Sequence, residues 1–101
     1  MGLIAATVTK HQLMAYKNEL EKKKLDILNA KMTLSDSVND LMNAGTDLDP
    51  DSPEVKQLEQ RKERLNLLEK KLDLQLEEYE VKLQQVEKNL QECDSMISSS
   101  I

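Results

Sequence analysis

The chain has 101 residues, 33% of them charged, a net charge of −5, and only two aromatics, Tyr16 and Tyr79. Seventeen leucines set against two glycines and two prolines describe long amphipathic helices, and so few aromatics exclude an ordinary compact core. A chain of this length buries little surface on its own, so association with itself or with a partner is expected.

The first ten residues, MGLIAATVTK, carry a short apolar patch with no positive charge ahead of it and no apolar stretch of signal-peptide length. Ala6 stands where a myristoylation pattern needs Ser or Thr, and no run reaches the roughly 18 apolar residues of a membrane span. The expectation is a chain made as a soluble cytoplasmic protein with no membrane span. Export by a machinery that reads no cleavable signal stays open.

The first helix is expected over about residues 9–44. Thr9 with Gln12 three positions on fits a capping box, although Leu3 to Val8 could extend the helix backwards. Leu13, Leu20, Ile27, Leu34 and Leu41 fall seven residues apart, a coiled-coil register. Tyr16, Ala30, Ser37 and Ala44 sit three positions further on, with Lys23 in the same row, where it must lift its ammonium out along its stem.

A turn follows over about residues 45–52. The stretch NAGTDLDPDSPE holds one of the two glycines and both prolines. Gly45 is expected to take the left-handed conformation that stops a helix, and Pro50 lies in the connection. Ser52 and Pro53 read as the cap and first residue of the next helix, with Glu54 at the positive end of its dipole.

The second helix is expected over about residues 53–97. Leu58, Leu65, Leu72, Tyr79, Val86 and Cys93 are again seven apart, joined by Leu68 and Met96 and by Leu76, Leu83, Leu90 and Ile97. Two matching seams predict an all-α, antiparallel two-helix coiled-coil hairpin spanning residues 1–101 as a single domain, with arms of about 55 to 65 Å. Each arm also carries apolar residues off its seam. On the second, Leu67, Leu74 and Val81 recur about 200° from the seam, on the far side of the helix. On the first, Leu25, Leu28 and Met32, with Met14 and Met42, form a broader flank. One reading is scattered surface residues or a wide core face. The sharper one makes both sets an assembly face between hairpins.

Residues for chemistry are few. Asp47, Asp49 and Asp51 alternate like the first ligands of a calcium loop, but Ser52 replaces its glycine and Leu58 its bidentate Glu, so an acidic solvated turn explains them and no metal is expected. A single cysteine, Cys93, can neither close an internal disulfide nor build a zinc site, and it continues the Leu58 to Val86 row as a small buried hydrophobe. His11, the only histidine, would lie near it at the open end of the hairpin, with no orienting group and no pocket. No phosphate loop is present, so neither a catalytic residue nor a cofactor is expected. Lys17, Lys22, Lys23, Lys24 and Lys31 give the first arm a basic strip. Its net charge is nonetheless only +1, and without stacking aromatics nucleic-acid binding is not expected.

Helix, turn and long heptad-patterned helix, with Pro50, Asp51, Ser52 and Pro53 at the turn and Val55 and Leu58 after it, resemble the needle subunits of type III secretion systems. That family consists of short helical hairpins with a PxxP turn, exported without a cleaved signal, which polymerise into a hollow filament. The resemblance implies the same for this chain, which differs in being longer, more charged and more strictly heptad-repeating, and in ending MISSSI. The functional expectation is therefore a non-enzymatic, self-assembling helical-hairpin subunit of a bundle or filament. Its alternative is a cytoplasmic adaptor or export chaperone that clasps a partner helix in its seam.

Overall fold

The computed structural model describes residues 2–101. It contains two helices, α1 (Leu3–Ala44, 42 residues) and α2 (Pro53–Ser100, 48 residues), and no strand among the described residues. The fold is an all-α helical hairpin.

Helix α1 starts earlier than the capping-box pattern suggests. The Ala6 N–H already donates to the Gly2 carbonyl at 3.1 Å. The hydroxyls of Thr7 and Thr9 turn back onto the carbonyls of Leu3 and Ala5 at 2.8 and 2.9 Å, so Thr9 is an interior helical residue and not a cap.

The end of α1 also corrects the sequence reading. No described residue, glycine or otherwise, has positive φ, so Gly45 does not adopt the left-handed conformation. Its N–H completes the helix by donating to the Leu41 carbonyl at 3.2 Å. Thr46 then does the terminating, its N–H and hydroxyl both donating to the Asn43 carbonyl, at 3.4 and 2.7 Å. Beyond it, the Asp49 carboxylate accepts the Asp51 N–H at 3.1 Å, the Asp49 carbonyl accepts the Ser52 N–H at 3.0 Å, and Pro50 keeps Asp49 out of helical geometry. Ser52 opens α2 as its sequence position implies, its hydroxyl accepting the Val55 N–H at 3.3 Å ahead of Pro53.

Contacts divide the chain into two compact units. One joins Glu77–Ile101 to the N-terminal residues up to Leu25. Its buried residues are Ala6 and Leu20 from α1 and Val86 and Cys93 from α2, with Leu20 only 2% exposed. Leu13, Tyr79, Leu83, Leu90 and Ile97 are half-buried around them. The other unit, Asp26–Leu76, buries Ile27 and Leu34 and half-buries Leu41, Leu58, Leu65, Leu72 and Leu76.

In both units the second inner row lies four positions after the leucines, not three. Tyr16, Ala30 and Ala44 of the expected row are exposed, as is Lys23, and only Ser37 is half-buried. On α2, Leu68 and Met96 are likewise exposed. The row four positions on consists of Lys10, Lys17, Lys24, Lys31 and Val38 on α1, all half-buried. On α2 it holds Lys62, Glu69, Leu76, Leu83, Leu90 and Ile97. Residues three and four positions on flank a leucine row on opposite sides, and both flanks suit a two-helix seam. On α2 the row four positions on is apolar from Leu76 to Ile97, while Lys62 and Glu69 occupy its start.

Candidate interaction site

The lysine row is the polar half of the seam. In the first unit Lys10 pairs with Asp94 at 2.7 Å, Lys17 with Glu87 at 3.7 Å and Lys24 with Glu80 at 3.5 Å. In the second, Lys31 pairs with Asp73. Each lysine one heptad later meets an acid one heptad earlier, which is the signature of antiparallel pairing. The stems lie in the seam and the ammonium groups emerge at its edge, where each pair is worth little in water but a mismatched one would cost. The hydrogen bond that Lys31 donates to the Asp73 carboxylate raises the lysine pKa above its ordinary value, against a smaller opposing effect of desolvation. Lys23 is raised too, chiefly by its hydrogen bond to Glu19 one turn back, 3.2 Å away. The sequence reading missed this row by taking the lysines as outer residues. The signal was present as two charge rows of opposite sign, both spaced by seven and running in opposite directions.

The off-seam apolar residues stay uncovered in each unit. In the second, Leu67 and Leu74 are 60% and 62% exposed, and Leu28 and Met32 also face solvent. In the first, Val81 is 65% exposed, and Leu25 and Met14 are exposed as well. The expected seam and assembly residues thus separate by burial, the former buried or half-buried and the latter exposed.

Concave features are shallow. A depression of about 250 Å³ beside the turn is lined by Leu41, Met42, Gly45, Val55 and Leu58, and one of about 550 Å³ runs between Ser37 and Asp40 on one side and Arg61 and Arg64 on the other. Both are open to solvent. Cys93 is buried while His11 is exposed, and no hydrogen bond joins them among the described residues. Asp47, Asp49 and Asp51 are spread along the turn, and no group of three or more His, Cys, Asp or Glu side chains that could hold a metal ion occurs among the described residues. No described helix is long and apolar enough to cross a membrane.

No protein-family model matches the chain, and neither a curated protein nor a solved structure matches it.

Proposed function

We propose that this protein is a non-enzymatic helical-hairpin subunit that works by packing against other helices, most simply those of further copies of itself. The observation that carries the reading is the far side of α2, where Leu67, Leu74 and Val81 recur every seven residues and all remain more than half exposed. Isolated exposed leucines are ordinary, whereas a heptad row on the side away from the seam is the pattern that a second helix fills. Assembly into a bundle or a needle-like filament is the form that the PxxP turn suggests, with export as a corollary. A second reading, an adaptor or chaperone clasping a foreign helix, draws on the apolar depression at Leu41, Met42 and Leu58 and on the exposed methionines Met14, Met32 and Met42.

The test is the mass of the purified chain over a concentration series. Concentration-dependent assemblies that dissolve, with helicity retained, on changing Leu67, Leu74 and Val81 together to Lys support the subunit reading. Changing Leu65, Leu72 and Leu76 to Lys should instead remove helicity. A parent chain that stays monomeric at every concentration and binds a foreign helix would move the assignment to the adaptor.

A further inference from the structure

The charges beside the α2 stripe are arranged with a symmetry that names its partner. Along this one unbroken helix, Lys70 and Lys71 precede Leu74 by four and three positions, and Glu77 and Glu78 follow it by three and four. Leu67 and Val81 lie seven positions to either side. The pattern is apolar in the centre, basic on one side and acidic on the other, so a half-turn about Leu74 carries each basic position onto an acidic one. All seven residues are exposed, and none of the four charged ones takes part in an ion pair among the described residues.

We propose that the far face of α2 is an isologous docking surface for a second copy of this chain, with the two α2 helices antiparallel and the two-fold axis at Leu74. The inference rests on the self-packing reading above and specifies its geometry. In that arrangement Leu74 meets Leu74 and Leu67 meets Val81. Lys70 faces Glu77 and Lys71 faces Glu78, each pair formed twice by symmetry. Further out, Lys56 comes level with Glu92 and Gln60 with Lys88. Parallel helices in register would set Lys70 and Lys71 against their own copies and Glu77 and Glu78 against theirs, four repulsive contacts in place of four attractive ones. A foreign helix has no reason to carry this palindrome. A second copy carries it by construction.

Charge reversal tests both the partner and the direction. Lys70→Glu with Lys71→Glu, and separately Glu77→Lys with Glu78→Lys, should each weaken self-association by about 100-fold, because every cross-contact becomes a like-charge one. Mixing the two variants should restore it. Direction is read by thiol cross-linking in a Cys93→Ala background: Leu74→Cys should cross-link to itself, and Leu67→Cys with Val81→Cys mixed should cross-link to each other. Neither Leu67→Cys nor Val81→Cys alone should. Cross-linking of Leu67→Cys to itself would overturn the antiparallel geometry. Charge-reversed chains that associate as the parent does would overturn this surface while leaving self-assembly standing through another face. A parent that never associates would remove both.

Discussion

Gly45 shows how a residue type can mislead about its own role. A glycine just past the last periodic residue suggests a left-handed cap, yet its φ is not positive and Thr46 stops the helix. A Cβ added at Gly45 would meet the Leu58 Cδ1 at 3.5 Å and the Leu41 and Met42 carbonyl oxygens at 3.7 and 3.8 Å, all ordinary contacts. Gly45→Ala should therefore stabilise the hairpin by about 0.4 to 1 kcal/mol through a less flexible unfolded chain, read as a higher melting temperature. A lower one would mean that the gap at this position matters. Lys31 supports a second prediction. Its pKa is raised by the Asp73 hydrogen bond, so its stabilising share is complete below the unfolded lysine value of about 10.4 and is lost as pH rises through the higher folded value. Melting temperatures followed from pH 9 to 12 should fall on the alkaline side, and Lys31→Met should fall less. Parallel curves would show that the pair contributes nothing to the folded state.

Among the elements, burial sorts leucines that composition treats alike. Leu20 is buried and Leu67 is 60% exposed, although both lie in heptad rows. Leu20→Ala should cost about 2 to 5 kcal/mol, while Leu67→Ala should leave hairpin stability within about 0.5 kcal/mol, both measured by urea unfolding at a concentration where the chain is monomeric. Equal losses would contradict the packing. The sequence carried the two helices plainly because breakers cluster only between Asn43 and Pro53, and the leucine rows fix the inner direction. It did not carry the second inner row. Tyr16, Ala30 and Ala44 looked the better candidates by polarity, whereas Lys10, Lys17, Lys24 and Lys31 qualify by their long stems and by acids supplied from the other helix. The helix start was illegible for a related reason: Thr9 can cap or back-bond, and Leu3 to Val8 are apolar enough to continue the helix past it.

For the whole molecule, the apolar far side of α2 was legible as a stripe, and its palindrome of charge was also in the sequence, visible only once the stripe was known to be uncovered. What no single helix could disclose is how the lysine ladder and the turn share one task. Lysines and acids repeat with the same period, so moving α1 by one heptad along α2 would still match Lys10 with Glu87, Lys17 with Glu80 and Lys24 with Asp73. Such a comb forbids a slip of one or two residues but is nearly blind to a slip of seven, about 10 Å. The count of residues between Ala44 and Pro53 is then the ruler that picks one notch among several equivalent ones. A chain lengthened or cut there would keep its teeth and lose its place.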